Sequence, residues 1–304
     1  MDILFDRRGT AGLVILNRPQ ALNAVSHAMV RELSRQLAEW ESDPAVTRVV
    51  LTAHGSRAFS AGGDLRALYD LGRAGRYDEA LGFFREEYAL NAAIKRYRKP
   101  YVALIDGIVM GGGVGISVHG SHRVAGDKLV FAMPEVGIGF FPDVGGTWFL
   151  PRLPGKLGTY CALTGERLDA ADAVAAGVAT HRVPSARFPD LIEALCGAVA
   201  VDAILGAFAE PPVHGTVVAR RDAIDRLFRG DRIADVLAAL DAVASQNGTH
   251  AAFALTTAAL IRTKSPTSLK VALEQMRRGP TLEADGTAEV ERHFAPLARE
   301  LDLS

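Results

Sequence analysis

The chain has 304 residues, of which 49% are hydrophobic and 23% are charged, so it holds ample apolar material for a compact, buried core. Its 34 basic and 35 acidic residues leave a formal net charge of -1, which excludes the strong positive field that draws proteins to nucleic acid or anionic membranes. A small-molecule substrate is therefore the expected partner.

Strand and helix patterns alternate through the first two-thirds of the chain. Runs rich in β-branched residues, bounded by Gly, Pro or Asn, predict strands over residues 13–16, 49–52, 101–105 and 129–131. The clearest helix follows Ser26 as its N-cap and stops at Asp43 and Pro44. Its apolar residues repeat along one face: Met29, Val30, Leu33, Leu37 and Trp40. This alternation predicts the α/β class.

The C-terminal third loses the strand pattern. Apolar residues recur there at helical spacing over residues 220–229, 233–243 and 251–261. We therefore expect a catalytic core over residues 1–186, followed by a mostly helical C-terminal region over residues 187–304.

The cysteines and the first residues bear on the compartment. Cys161 and Cys196 form no CxxC pair, so both are expected to be packed thiols in a reducing environment. Residues 1–12 carry Asp2 and Asp6 without a long apolar run, which fits neither a secretory signal nor an acid-poor transit peptide. No apolar stretch approaches the roughly 18 residues of a membrane span. The expectation is a cytoplasmic protein.

Three glycine-rich segments are candidates for ligand contact: residues 60–64 (SAGGD), 110–115 (MGGGVG) and 137–146 (GIGFFPDVGG). Glycine lets the backbone approach a ligand closely and present bare N–H groups to an anion. The second segment is expected to lead into a helical run at residues 116–119. Tight turns explain a single cluster equally well, whereas several clusters with nearby acids favour a binding site.

Two carboxylates lie in apolar surroundings, Glu135 after Pro134 and Asp143 after Pro142. An isolated acid is usually a helix cap or a surface residue, and Asp143 could cap the helix that follows it. A pair of acids in an apolar, glycine-rich segment can instead have raised pKa values and act as acid, base or nucleophile.

Other chemistries lack their motifs. Residues 115–119 (GISVH) lack the second glycine of a nucleophile elbow, and the Gly155-Lys156 pair is followed by Leu157 rather than Ser or Thr. No GxGxxG follows a strand and no HExxH occurs. A serine hydrolase of that type, a P-loop, a Rossmann site and a zinc hydrolase are therefore disfavoured, and no metal is expected.

Four motifs, in order and spacing, resemble the enoyl-CoA hydratase/isomerase (crotonase) superfamily: residues 16–24 (LNRPQALNA), 59–65 (FSAGGDL), 99–103 (KPYVA) and 110–115 (MGGGVG). The resemblance extends over about residues 13–183. It implies a crotonase-type spiral of ββα units, a coenzyme A thioester as ligand, and an oxyanion hole made by the N–H groups of Gly63 and Gly112. Ala61 is expected to contact the substrate as well.

Within this superfamily, the chain most resembles the 3-hydroxyisobutyryl-CoA hydrolases. The closer similarity is carried by residues 83–88 (FFREEY), 111–120 (GGGVGISVHG), 131–135 (FAMPE) and 141–146 (FPDVGG). It implies that Glu87, Gly112, Glu135 and Asp143 line the acyl pocket. Gly115 stands where the hydratases carry a second catalytic Glu, which argues against adding water to a double bond.

The resemblance predicts hydrolysis of a short-chain 3-hydroxyacyl-CoA, with valine degradation as the implied pathway. Glu135 is expected to act as nucleophile or general base, and Asp143 to bind the β-hydroxyl group. A hydratase or isomerase that uses Glu135 with Glu87 or Asp143 is the first alternative, and a non-catalytic acyl-CoA-binding protein is the second. The only coenzyme is the CoA of the substrate, so no separate cofactor is expected, and a symmetric homo-oligomer would be ordinary.

Overall fold

The structure is a computed structural model that describes residues 1–211, 213, 215–246 and 248–282. Its strands, in chain order, are β1 (Ile3–Arg8), β2 (Ala11–Leu16), β3 (Arg48–Ala53), β4 (Ala58–Ser60), β5 (Tyr101–Ile105), β6 (Ile108–Met110), β7 (His122–Ala125), β8 (Val130–Ala132) and β9 (His181–Arg182). The predicted strands all appear, as β2, β3, β5 and β8.

The helices, in chain order, are α1 (His27–Ser42), α2 (Leu65–Arg73), α3 (Tyr77–Lys95), α4 (Gly112–Gly115), α5 (Gly146–Phe149), α6 (Leu157–Thr164), α7 (Ala170–Ala175), α8 (Phe188–Cys196), α9 (Val201–Phe208), α10 (Arg221–Leu227), α11 (Ile233–Ala244), α12 (Ala251–Arg262) and α13 (Pro266–Arg278). The predicted helices of the C-terminal third correspond to α10, α11 and α12. No described residue after β9 forms a strand, and residues 283–304 of the expected helical region lie outside the described residues.

Helix α1 forms where its sequence pattern predicts it. The Ser26 hydroxyl accepts the Met29 N–H at 3.3 Å, which satisfies one of the free N–H groups of the first turn. The chain leaves the helix at Asp43, whose N–H bonds the Glu39 carbonyl. The five apolar residues of the predicted face are all buried.

The contacts divide the chain into two compact units. Residues 1–131 with 168–213 form the first unit, and residues 132–167 with the described part of 214–304 form the second. The expected division after residue 186 stays a prediction about domain organisation.

The first unit is built on a six-stranded sheet with the order β1-β2-β3-β5-β7-β9. Strands β1 and β2 are antiparallel, and the pairs from β2 to β9 are parallel. Leu13, Val50 and Val102 on one face pack with Leu191 and Leu205 from α8 and α9. Neighbouring residues of a strand point to opposite faces, so Gly12 faces the other side of the sheet. Helix α1 packs there, with the Trp40 ring against Gly12.

A second, three-stranded sheet positions the first two glycine-rich segments. Its order is β4-β6-β8, and β4 runs parallel to β6 with Ser60 beside Val109. The carboxyl ends of parallel strands meet at the same sheet edge. The chain segments that follow β4 and β6 therefore start next to each other.

One sequence-based expectation is wrong in this region. Residues 116–119, expected to be helical, form turns, and the short helix α4 is formed by the glycines themselves. The reason is a tertiary contact: the Ile116 carbonyl accepts the Tyr101 hydroxyl at 2.9 Å, and the Gly120 N–H bonds the Ser117 carbonyl instead of the Ile116 carbonyl that a helix would use. Glycine is needed within α4 itself, because a methyl group on Gly113 would lie 2.6 Å from the Ser60 carbonyl oxygen.

The second unit is helical, with α5, α6 and α10–α13. Helix α13 begins after Ser265, whose hydroxyl accepts the Ser268 N–H at 3.3 Å, and it buries an apolar face that includes Leu269, Leu273 and Met276. Among the described residues, no helix is long and apolar enough to cross a membrane. Cys161 and Cys196 are buried, and neither is disulfide-bonded, as predicted for packed thiols.

Candidate active site

The segment after β4 presents one backbone N–H group without an acceptor. Gly62 has φ +121°, which turns the chain sharply before α2, and Asp64 caps that helix by accepting the Ala67 N–H at 3.1 Å. The Ala61 N–H bonds the Leu22 carbonyl at 3.0 Å, so this donor is occupied. Within the described residues, the Gly63 N–H has no hydrogen-bond acceptor.

The segment after β6 presents a second such group. Gly111 has φ +45°, a conformation that favours glycine, and α4 begins at the next residue. The N–H groups of Val114 and Gly115 bond the Gly111 carbonyl, whereas the Gly112 N–H has no acceptor among the described residues. This is expected of the first turn of a helix, where N–H groups have no partner within the helix.

The two glycines lie side by side. A methyl group built on Gly112 would lie 3.1 Å from the Gly63 nitrogen and 3.3 Å from the Gly62 carbonyl carbon. Two adjacent donors on rigid strand–helix junctions suit an oxyanion, because donors that are already oriented need no rearrangement as negative charge develops. The structure thus brings together the two backbone groups that the resemblance assigned to the oxyanion hole.

Glu87 lies against the same glycine. It is buried on α3, and its Oε1 atom would be 2.6 Å from a methyl group on Gly112. Phe83, one helical turn earlier on α3, lies beside Gly63: a methyl group built on Gly63 would be 3.2 Å from the Cζ atom of the Phe83 ring. Glu87, Gly63 and Gly112 therefore line one small space, while the role of Ala61 in substrate binding stays a prediction.

Sequence reasoning missed Asn91, which lies one turn after Glu87 on the buried face of α3. Only 4% of its surface is exposed, and neither side-chain amide atom has a partner among the described residues. Buried polar groups are nearly always paired in proteins, so this unpaired amide is a candidate for a further binding group. The available signal was a polar residue on an otherwise apolar helix face.

Glu135 is a buried acid of the second unit. It begins a short turn of 3-10 helix (Glu135–Ile138) after Pro134, and only 5% of its surface is exposed. Burial, followed by repulsion from the Asp143 carboxylate, raises the pKa of Glu135 well above its ordinary value. Its Oε2 atom has no hydrogen-bond partner among the described residues, so that oxygen is unengaged.

Asp143 lies in a strained turn. It is buried, and its carbonyl accepts the Gly146 N–H at 2.7 Å. The next residue, Val144, has φ +46°, which is rare for a β-branched side chain. The N-cap of α5 is Gly145, so Asp143 does not cap the helix that follows it.

Each unit thus offers a distinct chemical capability. The first can hold a developing oxyanion on two backbone donors, and the second holds two buried carboxylates close enough for one to raise the pKa of the other. A glutamate with a raised pKa is, once ionised, a stronger base and nucleophile than an ordinary one.

Comparison with known proteins supports an acyl-CoA ligand. The family model for enoyl-CoA hydratase/isomerase matches residues 11–298. The mitochondrial 3-hydroxyisobutyryl-CoA hydrolase of Xenopus tropicalis is 46% identical over 292 residues, which span 92% of this chain and 74% of the relative. The human mitochondrial 3-hydroxyisobutyryl-CoA hydrolase is 42% identical over 288 residues, 91% of this chain and 73% of the relative.

Solved structures share the fold. A carnitinyl-CoA dehydratase from Mycobacterium thermoresistibile matches with a TM-score of 0.89 at 44% identity, covering 98% of this chain and 84% of that chain. An enoyl-CoA hydratase from Rhodobacter sphaeroides 2.4.1 matches with a TM-score of 0.87 at 39% identity, covering 98% and 85%. The predicted crotonase-type α/β fold is confirmed.

The expected cytoplasmic location is wrong on this comparison, because the hydrolase relatives are all named as mitochondrial proteins. The physical reason is that composition and cysteine usage describe a folded domain, whereas a targeting segment decides the compartment. Packed thiols are compatible with either location.

Proposed function

Because the chain belongs to the enoyl-CoA hydratase/isomerase family, we propose that it is an acyl-CoA thioester hydrolase that converts a short-chain 3-hydroxyacyl-CoA to the free acid and CoA. The preferred substrate is 3-hydroxyisobutyryl-CoA. The observation that carries this choice is the identity of 42–46% to proteins named as hydrolases of that thioester, over most of the chain. Gly115 adds support, since it leaves α4 without the second catalytic acid expected of a hydratase.

The backbone donors stabilise the transition state. Attack on the thioester converts its carbonyl oxygen to an oxyanion, and the N–H groups of Gly63 and Gly112 hold that charge. Removing one donor from such a hole typically costs about 10²–10³ in rate, or about 2.7–4 kcal/mol. A large part of the rate enhancement therefore depends on the backbone of two glycines.

Glu135 supplies the reactive carboxylate. As a nucleophile, its oxygen bonds to the acyl carbon, the C–S bond breaks, CoA leaves as a thiolate that takes up a proton, and water then hydrolyses the mixed anhydride. As a general base, it takes a proton from the water that attacks the same carbon. We favour the nucleophile. In either route a thiol with a pKa of about 8.5 leaves with little acid assistance, so Asp143 is not needed as the acid.

The nucleophilic route has a direct test. Hydroxylamine added during turnover traps a mixed anhydride, and mass spectrometry then finds a hydroxamate on Glu135. Hydroxylamine can also attack the acyl carbonyl of the anhydride, which gives an acyl hydroxamate and leaves Glu135 unmodified. If the peptide that carries Glu135 stays unmodified and no acyl hydroxamate forms beyond that from the thioester alone, the general-base route replaces the nucleophilic one.

Asp143 is left to bind the β-hydroxyl group of the acyl chain. Orienting that group fixes the acyl carbon for attack, and correct orientation accounts for a substantial part of enzymatic rate enhancement. This role explains a preference for 3-hydroxyacyl groups. Ala61 and Glu87 complete the proposed substrate contacts.

The experiment follows two signals in one assay. The purified protein is incubated with (S)-3-hydroxyisobutyryl-CoA or with crotonyl-CoA, while a thiol reagent reports free CoA and the enoyl absorbance reports hydration. We expect CoA release from the hydroxyacyl substrate, its loss in Glu135→Gln, and no effect of Glu193→Gln, which removes an exposed carboxylate from α8.

Other outcomes identify the alternatives. Loss of enoyl absorbance without CoA release would establish a hydratase, which the dehydratase and hydratase names of the two solved structures make the second candidate. Acyl-CoA binding without turnover, unchanged in Glu135→Gln, would establish a binding protein. Either result overturns the hydrolase proposal.

The remaining expectations are proposals as well. We propose a symmetric homo-oligomer that needs no metal or separate cofactor, contacts no nucleic acid and acts in valine degradation. The net charge of -1 supports the absence of a nucleic-acid partner. Light scattering of the purified protein tests the oligomer.

A further inference from the structure

Helix α13 reaches the turn that carries Asp143. Gln275 of this helix is fully buried, at 0% exposure, and its Nε2 atom donates to the Pro142 carbonyl at 2.9 Å and to the Thr147 hydroxyl at 2.9 Å. These two acceptors lie on either side of Asp143, one immediately before it and one at the start of α5. One side-chain amide thus holds both ends of a turn that is 133 residues away along the chain from Gln275.

The backbone of this turn is strained. Val144, at φ +46°, adopts a conformation that β-branched residues avoid, and Gly145 follows at φ +85°. Strained conformations of this kind cost about 1–3 kcal/mol and persist only where surrounding contacts determine them. The Gln275 hydrogen bonds are contacts of this kind, because both are formed in a buried, water-poor environment where an unpaired carbonyl is costly.

The same helix is also tied to the other acid-bearing segment. The N–H of Ser265, the N-cap of α13, donates to the Val136 carbonyl at 3.2 Å, and Val136 follows Glu135 directly. Helix α13 is therefore bonded, at its N-cap and again three residues before its end, to the backbone beside each of the two buried carboxylates. No other described side-chain amide makes this pair of contacts.

We propose that Gln275 is a positioning residue, whose side-chain amide holds the strained Pro142–Thr147 turn so that Asp143 is oriented toward the β-hydroxyl group of the substrate. This inference rests on the proposed function for the identity of the substrate. Gln275 acts through Asp143, so it governs selectivity for the hydroxylated acyl chain and leaves the chemistry at the thioester in place.

The expected effect is therefore selective. Gln275→Met keeps the length and volume of the side chain but removes the donor. A misplacement of about 1 Å can cost about 10²-fold in rate, so kcat/KM for 3-hydroxyisobutyryl-CoA should fall by about 10- to 100-fold. Isobutyryl-CoA, which has no hydroxyl group to orient, should lose much less. The ratio of kcat/KM for 3-hydroxyisobutyryl-CoA to kcat/KM for isobutyryl-CoA should therefore fall toward 1.

The controls separate positioning from folding. Lys270→Ala, an exposed substitution on the same helix, should leave both substrates unchanged. Gln275→Glu, which keeps the shape but places an acceptor where the donor was, should reproduce the loss of selectivity. Thermal unfolding of each variant gives the folded fraction, and a merely structural role of Gln275 would lower turnover of both substrates in equal proportion.

A second measurement does not depend on activity. Hydrogen–deuterium exchange of residues 140–149 should accelerate in Gln275→Met, while exchange in α11 and α12 stays as in the wild type. If the wild type releases CoA from neither thioester, the proposed function fails and this exchange experiment still decides the positioning role. Unchanged exchange over residues 140–149, or an equal loss on both substrates, would overturn the inference.

Discussion

The substitution Gly112→Ala tests the oxyanion hole most directly. The added methyl carbon would lie 2.6 Å from Glu87 Oε1, which is 0.8 Å short of the 3.4 Å at which ordinary contact begins, and it would also press on the Gly63 nitrogen at 3.1 Å. Glu87 Oε1 is the end of a flexible side chain and can withdraw. The Gly62–Gly63 backbone cannot, because Val25 donates to the Gly62 carbonyl and accepts the Asp64 N–H, on either side of Gly63.

The magnitude follows from this difference. Side-chain adjustment limits the loss of folding free energy to about 1–3 kcal/mol, as for other overpacked sites. The two donors, however, are displaced from each other, and loss of one donor costs about 10²–10³ in kcat. We therefore expect a folded protein that has lost most of its activity.

Initial rates of CoA release measure this effect, with thermal unfolding recorded on the same samples. The matched control is Gly82→Ala on α3, where the added methyl lies 3.8 Å from the nearest atom, His27 Cε1. This control should keep the wild-type rate and gain about 0.5–1 kcal/mol of stability, because alanine favours a helix interior over glycine. A Gly112→Ala protein with kcat within about 3-fold of the wild type would refute the assignment of this backbone to the hole.

Three further changes test electrostatics and packing. Glu135→Gln should raise Tm above that of the wild type, by an amount that grows with pH. Burial and a neighbouring carboxylate raise the pKa of Glu135, so the wild type loses stability as the pH rises through that pKa. Thermal melting of both proteins at pH 4 and pH 8 checks this prediction. Gly12→Ala should lower the free energy of unfolding by about 1–3 kcal/mol, because the added methyl group overlaps the Trp40 ring. Denaturant unfolding measures this loss, and an unchanged denaturation midpoint would contradict the packing. The hydrogen bond from Arg31 lowers the pKa of Glu86 to about 2. Glu86→Gln should therefore lower the free energy of unfolding by under about 1 kcal/mol at pH 7, and this loss should disappear as the pH falls toward 2.

Local sequence patterns predicted much of the fold. The helix after Ser26 has its cap, its buried face and its end where the spacing places them, and the β-branched runs at residues 49–52 and 101–105 are central strands. These features depend on neighbours within a few residues, and such neighbours act whatever the rest of the chain does. Strand β6, with three residues, is too short to show a pattern of its own.

The candidate site was predicted unevenly. Gly63 and Gly112 were identified by a resemblance of ordered motifs, and the acids Glu135 and Asp143 by their apolar surroundings. Asn91 was missed, because a helical period indicates which face is buried without indicating what a polar residue on that face meets. The pattern predicts a helix at residues 116–119, where the structure has turns, because spacing alone does not reveal that the Tyr101 hydroxyl occupies the Ile116 carbonyl.

The sequence by itself determined the α/β class, the glycine-rich junctions and the residue types available for acyl-CoA chemistry. Only the tertiary structure decided which of those residues meet: Glu87 reaches the backbone at Gly112, and Gln275 bonds Pro142 across 133 residues. The physical reason is the range of the forces. Propensity and periodicity act within a turn or a strand, whereas a hydrogen bond or a close approach between distant residues exists only after sheet register and helix packing have fixed their positions.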